Sequence, residues 1–579
     1  MFEGVFRAHV ADKPSPGASP RWKGLLTSQH ITLRPAYSGL ATTGRKYEKP
    51  LLVLLGLVGL VLLVACGNVA NLILERNAAR QREIRLRLAL GASRGRIVSQ
   101  LFAESLLVAL AGAACGVCLA AWGTRLLISF LPQTSLPLAF DLRPGLAVLG
   151  FTASMAVATA MLFGLVPAWR ACVATADLSL RSGQRITGTS LGGRLLAAGQ
   201  LALSLLLLIG AGLFLSTLRN LKTTDLGFRP ENVTAFDLSF PQATGEERIR
   251  QTYARIQERL ESHAGVVFAS YAWPSVYGNG GWSAGVKVEG HNAGPGEDND
   301  VGMIAAGPGF FESIGLGLLQ GRYLSAQDQA GKPPVAVVNE SFAHYYFGSQ
   351  PAVGRRIHMP WEPPIQREIV GVVRDARHYG VREKVWRMVY VPTGKIDGAS
   401  FFIRAHLNAR LLSKIIRAEV TAVDKLAQVE TIRPFETDIN DMVSEERLTA
   451  ALSSVFGALA VVLAAIGLYG VVAYGTSRRT SEFGVRMALG AQRGDVERLV
   501  LRQTIPLIMA GVAAGVAGAA TLAHVLSGVI AGMLYGIKPA DIAVFAGATL
   551  LLTAVALLAA FLPARRASRV DPVIALRYE

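Results

Sequence analysis

Cysteine is scarce in this chain, with only Cys66, Cys115, Cys118 and Cys172 among 579 residues, each in or beside a long apolar run. The polar stretch from about residue 219 to 448 has none, so disulfides do not hold it together. Cys115-Gly-Val-Cys118 has redox spacing, but it sits in an apolar helix-forming run with no strand–helix–strand context for thiol chemistry. Catalytic signatures are missing too. H-E-x-x-H does not occur. The nine histidines are scattered, and His344 and His378 lack a second ligand at metal spacing, which reads as surface or packing roles. The segment Gly39 to Gly44 followed by Arg45, Lys46 and Tyr47 only resembles a phosphate loop, which needs Lys then Ser or Thr. No catalytic residue, metal ligand or cofactor site is assigned, and a membrane-tethered enzyme has no constellation behind it.

Charge is also in short supply. Charged residues make up 17% of the chain against 51% hydrophobic, an odd balance for a soluble protein. The net charge is +17, yet no basic run carries interleaved aromatics or a known binding module, so nucleic acid is not the expected partner. Arginines lying between apolar runs are topology signals.

A span needs about 20 apolar residues. Seven stretches qualify: Pro50 to Leu74, about Leu106 to Leu131, Leu146 to Val166, Leu195 to Leu218, about Thr449 to Tyr474, Ile505 to Leu534, and Asp541 to Leu562. The short loops at 75–100, 167–194, 475–503 and 563–579 are arginine-rich and alternate so as to share the cytoplasmic side, which sends residues 219–448 out of the cytoplasm. Residues 1–49 then also face outward, although they carry eight Lys or Arg against three acids. Inside the spans, Arg125 is near an end and can snorkel, while His524 lies deeper with no carboxylate except Asp541 at an edge. A proton-coupled carrier is therefore disfavoured. Gln200 in the fourth span reads as an interhelical hydrogen bond.

The chain repeats itself. Glu83 to Gly95 reads E-I-R-L-R-L-A-L-G-A-S-R-G, and Glu482 to Gly494 reads E-F-G-V-R-M-A-L-G-A-Q-R-G. One offset of 399 carries Glu83 onto Glu482, Arg87 onto Arg486 and Gly91 onto Gly490. The same offset carries Gly112 and Gly116 onto Gly511 and Gly515, two G-x-x-x-G pairs where helix backbones can approach closely. V-P-A-W-R-A (166–171) likewise matches L-P-A-R-R-A (562–567). The predicted fold is a polytopic α-helical membrane protein, two three-helix units plus one large extracytoplasmic α+β domain. Its segments are 1–49, 50–194 (first unit), 195–218 (a span leading outward), 219–448 (outer domain) and 449–579 (second unit). Within the outer domain, strand patterns at Val233 to Phe240 and Val266 to Trp273 flank a helix from Glu246 to Ser262. A second such unit runs from Ser400 to Arg433, and a β-richer insert lies between the two.

The order of span, outer α+β domain and three spans, with R-x-A-L-G-A in the first inner loop, resembles the MacB/FtsX-type ABC transporter permeases. The ending A-R-R-A-S-R-V-D-P-V-I-A-L-R-Y-E (564–579) is similar to that of their duplicated, ATPase-free (acidobacterial-type) relatives. The resemblance implies that residues 219–448 look like a MacB-like periplasmic core domain, and that Arg80 to Arg96 and Arg479 to Arg498 resemble inner-loop elements that contact an ATPase. It also implies that I-T-L-R-P-A-Y-S-G-L (31–40) resembles the tail of a first outer domain, residues 1–49 being its remnant in an N-terminally shortened member. The expected partners are a separate cytosolic ABC ATPase, membrane lipid, and a second copy or related permease as dimer. The expected setting is the bacterial inner membrane with the C-terminus cytoplasmic. Glu83, Arg87, Gly91, Glu482, Arg486 and Gly490 are the expected ATPase contacts, and Gly112, Gly116, Gly511 and Gly515 the helix-packing positions. The implied function is efflux or envelope export by mechanotransmission; the alternative is a non-transporting, membrane-anchored signalling or scaffold module of FtsX type.

Overall fold

A computed structural model of the chain describes residues 50–69, 93–128, 145–161, 191–241, 245–278, 280–291, 294, 297–328, 333–359, 365–393, 398–530 and 532–569. The apolar runs fold as helices, which satisfy every backbone hydrogen bond internally as a bilayer requires. The first four are α1 (Pro50–Val69), α2 (Arg94–Ile128), α3 (Leu146–Ala160) and α4 (Leu191–Thr223). Six helices of the described residues are long and apolar enough to cross a membrane. The remaining predicted span, Leu146 to Val166, is described as a helix only over the 15 residues of α3, and its continuation lies outside the described residues. The described chain divides into two compact units, one from Thr223 to Val443 and the other built from the helices on either side of it.

The outer unit is mixed α+β. Its first strand–helix–strand run is β1 (Val233–Ser239), α5 (Glu246–Glu261) and β2 (Val266–Trp273). The insert follows, with β3 (Ser283–Gly285), β4 (Lys287–Val288), β5 (Asp300–Ala306), α6 (Phe310–Ile314) and β6 (Leu318–Gly321). It continues through β7 (Val335–Asn339), α7 (Glu340–Phe347), β8 (Arg356–Met359), β9 (Ile365–Val373) and β10 (Met388–Pro392). The second strand–helix–strand run is β11 (Gly398–Ala405), α8 (Ala409–Val423) and β12 (Gln428–Pro434), and α9 (Phe435–Met442) closes the unit.

The two runs interleave: the strand order starts β12-β1-β11-β2, with every pair antiparallel. Helices α5 and α8 share one core over these strands, where Ile249, Tyr253, Ile256 and Leu260 meet Leu412, Ile416 and Val420 above Phe236, Tyr271 and Phe401. Burying aromatics of this size contributes on the order of 2 kcal/mol each. Arg248 on α5 clamps Asp424 at the end of α8 with two bonds of 3.0 Å, and this clamp holds the Asp424 carboxyl below its ordinary range. The sheet then continues β5-β10-β7-β9-β8-β4 through the short pairing of Ala272 with Ala306 and Trp273 with Ala305. Its second half contains parallel pairs and a separate core around Met303, Val338, Phe342 and Ile369. His378 is buried here and shares a 2.5 Å hydrogen bond with the Tyr390 hydroxyl; burial pushes its pKa down to about 3, so the ring is neutral. His344 is exposed.

In the other unit, the later helices are α10 (Ser444–Ser477), α11 (Thr480–Ala488), α12 (Arg493–Val525) and α13 (Ile542–Ala567). They pack with α4 into one apolar core, which joins Leu201 and Leu205 to Leu468, Ile508, Leu552 and Ala560. Asp541 caps α13, its side chain accepting from the Val544 amide at 3.1 Å.

Candidate functional site

The second copy of the repeated loop is a short built object. Helix α10 ends at Ser477, and α11 begins at Thr480 after the two-residue turn of Arg478 and Arg479. Phe483, 1% exposed, anchors α11 in the apolar core, with Met487 packed beside it. At the other end the amide of Ala491 donates to the Arg486 carbonyl at 3.0 Å and that of Gly490 to the Met487 carbonyl at 3.1 Å. This bond pair is the Schellman closure, which needs a left-handed residue just past the helix. Gly490 supplies it, at φ +102. Helix α12 then starts with a reciprocal cap in which the Gln492 amide donates to the Asp495 carboxylate at 2.9 Å.

Glu482 is the electrostatic centre of the loop. Its carboxylate accepts from Arg479 at 2.8 and 3.0 Å and from Arg486 at 2.8 Å. The hydrogen bonds from Arg479, with smaller help from Arg486, hold the Glu482 carboxyl below its ordinary range, and the same contact raises the Arg479 pKa. Arg479 also reaches across to α12, donating to the Gln503 side chain at 2.7 Å. The face opposite Phe483 is left open: Val485, Arg486, Ala488 and Leu489 are exposed, Leu489 at 83%. A braced helix with a basic, partly apolar exposed face suits contact with another protein, because the side chains that brace it lose little freedom on binding.

Among the predicted site residues, Glu482 and Arg486 are brought together and Gly490 ends their helix. Glu83, Arg87 and Gly91 lie outside the described residues. Gly511 and Gly515 face α4: a Cβ on Gly511 would lie 2.9 Å from the Ala198 carbonyl oxygen, and one on Gly515 would lie 3.0 Å from that of Ala202. Gly112 and Gly116, on α2, have no atom of another described element within 4 Å of the corresponding position. Arg479 was not singled out by sequence reasoning. The signal for it is the spacing R-x-x-E-x-x-x-R, which occurs in both copies as Arg80, Glu83, Arg87 and as Arg479, Glu482, Arg486. No group of three His, Cys, Asp or Glu side chains gathers at metal-binding distance among the described residues. Cys115 and Cys118 are free and exposed on α2.

A duplicated helical membrane unit with one extracytoplasmic α+β domain defines a multi-pass permease architecture. Two family models locate it further. The FtsX-like permease C-terminal model matches twice, at residues 55–175 and 454–572, and the MacB-like periplasmic core domain model matches at 196–433. The chain belongs to the MacB/FtsX-type permeases, as an inner-membrane protein with an extracytoplasmic domain. Among curated relatives, the macrolide export ATP-binding/permease protein MacB of Chromobacterium violaceum is 27% identical over 289 residues, covering 49% of this chain and 44% of that protein. The probable syringafactin export ATP-binding/permease protein SyfD of Pseudomonas syringae pv. tomato is 23% identical over 290 residues, covering 48% and 42%. The chain thus spans less than half the length of these relatives. The solved periplasmic region of MacB from Actinobacillus actinomycetemcomitans matches at 16% identity with a TM-score of 0.25, covering 37% of this chain and 94% of that one.

Proposed function

We propose that this permease couples a separate cytosolic ABC ATPase to shape changes of its extracytoplasmic domain, and that it serves efflux or envelope export by mechanotransmission. The observation that carries the reading is the braced loop helix α11, which holds Arg486 and Leu489 exposed on a rod fixed between two spans. Closing ATPases push on this rod and on the loop that repeats its sequence at Glu83, Arg87 and Gly91, the spans tilt, and the outer domain responds. The two units at 50–194 and 449–579 are the driven parts, and residues 219–448 are the moved part. The basic loops and the C-terminus lie on the cytosolic side. The names of the relatives, export ATP-binding/permease proteins, support the assignment to export. The ATPase is taken as a separate protein in this reading, and the described loop at α11 offers it a braced contact surface.

The test is co-purification of the ATPase from membranes, followed by its stimulation by the wild-type chain and by Arg87→Glu with Arg486→Glu. Stimulation is expected to fall at least tenfold in the double variant. Unchanged stimulation removes the loops from the coupling path, and recovery of an envelope hydrolase or sensor kinase in place of an ATPase favours the signalling alternative.

A further inference from the structure

Three helices meet at a buried polar point inside the membrane unit. Asn68 on α1 donates to the Leu463 carbonyl of α10 at 2.9 Å. Gln200 on α4 donates to the Asn68 side-chain oxygen at 2.9 Å and to the same Leu463 carbonyl at 2.7 Å. Asn68 is 6% exposed and Gln200 4%. The Leu463 carbonyl is reachable because of what stands one turn later. A helical side chain leans back over the preceding turn, and at position 467 there is only glycine. A Cβ on Gly467 would fall 2.4 Å from the oxygens of both Asn68 and Gln200. The glycine is a socket, and the two amides fill it.

The repeat makes this socket informative. At the offset of 399, the position equivalent to Asn68 is Gly467 itself. Val53 and Leu452, Leu57 and Phe456, and Val61 and Ala460 are also equivalent pairs, and all six side chains belong to one apolar cluster with Leu54 and Leu207. Equivalent residues meeting one another is the mark of an isologous, two-fold contact. The two helices run parallel, since the earlier residues of α1 meet the earlier residues of α10, and Asn68 meets Leu463 and Gly467 further on.

We infer that α1 and α10 form a pseudo-two-fold pair within a single chain, and that Asn68, seated in the Gly467 socket against Gln200, makes the unlike copies fit where like copies would not. An α10 facing a second α10 sets glycine against glycine and strips Gln200 of the Asn68 acceptor. An α1 facing a second α1 brings two asparagines together with no socket. In lipid an unmet amide finds no water, so each mismatch carries a direct cost. The occupant of the socket is α1 of the same chain. This pairing stands apart from the proposed coupling to an ATPase.

The experiment uses the full chain in native membranes, with Cys66, Cys115, Cys118 and Cys172 replaced by serine and Leu57→Cys and Phe456→Cys introduced. Mild oxidation is expected to join the two cysteines within one chain, so that fragments cut in the outer segment stay together until reductant is added. A cross-linked dimer of chains, or no cross-link, overturns the inference. On this background Asn68→Leu is expected to slow cross-linking roughly three- to thirtyfold, the range of an interhelical membrane hydrogen bond. An undiminished rate overturns the role of Asn68. Gly467→Ala is the gentler variant should Asn68→Leu fold poorly. It is expected to slow cross-linking as well, and adding Asn68→Ala to it should change little more. Fully additive losses would show that glycine and asparagine act independently, which also overturns the socket.

Discussion

The two membrane units carry the same glycine pair at the same place, yet the pairs live in different surroundings. In the second unit, Gly511 and Gly515 lie so close to α4 that any side chain would meet the backbone of Ala198 and Ala202. In the first, no neighbouring atom among the described residues lies within 4 Å of a Cβ placed on Gly112 or Gly116 of α2. The lesson concerns what a G-x-x-x-G motif encodes. It permits a close helix crossing, and the crossing exists only where another helix is present to take it up.

That contrast can be broken most directly by Gly515→Leu set beside Gly116→Leu. The first must push α4 away from α12, an overpacking cost of about 2–3 kcal/mol. The second adds a leucine to an exposed helix face and is expected to be close to neutral. Thermal unfolding of the purified protein in detergent measures both. Equal losses would mean that Gly116 also sits against a neighbour, and the contrast between the units would disappear.

Much of this architecture was legible because its signals are local. Apolar runs of span length, the strand pattern at Val233 to Phe240 and the stripe of Ile249, Tyr253, Ile256 and Leu260 each declare an element over a few turns. The order β12-β1-β11-β2 was not legible, since interleaving pairs strands roughly 130 to 170 residues apart and no periodicity records which neighbour is chosen. The polar node was half legible. Gln200, alone in an apolar run, demands a hydrogen-bond partner; Asn68 near the end of a span reads equally well as a boundary residue. Arg479 escaped for a related reason: among several loop arginines its distinction is geometric, through its reach to both Glu482 and Gln503.

A finer comparison sets the two A-L-G-A turns against each other. Gly490→Ala forces a Cβ into a left-handed conformation at φ +102, costing about 1 kcal/mol and loosening the end of α11. The consequence is expected as roughly fivefold faster hydrogen exchange at Leu489, Gly490 and Ala491, whose amides make the closing bonds. Gly91→Ala is expected to act alike at Leu90 to Ala92 if the repeated letters encode the same turn. A neutral Gly91→Ala would separate the two copies at their most similar point.

The smallest effect belongs to the carboxylate that braces the loop. Glu482→Gln removes the charge that Arg479 and Arg486 share, and exposed or half-exposed pairs of this kind contribute about 0.5 kcal/mol. Because the folded Glu482 pKa lies below the ordinary value of 4.5, its stabilisation is fully present above that pH and fades as pH falls through the lowered folded value. Protection of the α11 amides, corrected for the intrinsic pH dependence of exchange, should therefore decline on acidification in the wild type and stay flat through the same window in Glu482→Gln. Glu83→Gln should repeat this behaviour in the first loop, where Arg80 and Arg87 stand at the same spacing. If only Glu482 shows the acid dependence, the two loops share a sequence pattern but not a brace, and one of them is the stiffer contact for any partner that presses on both.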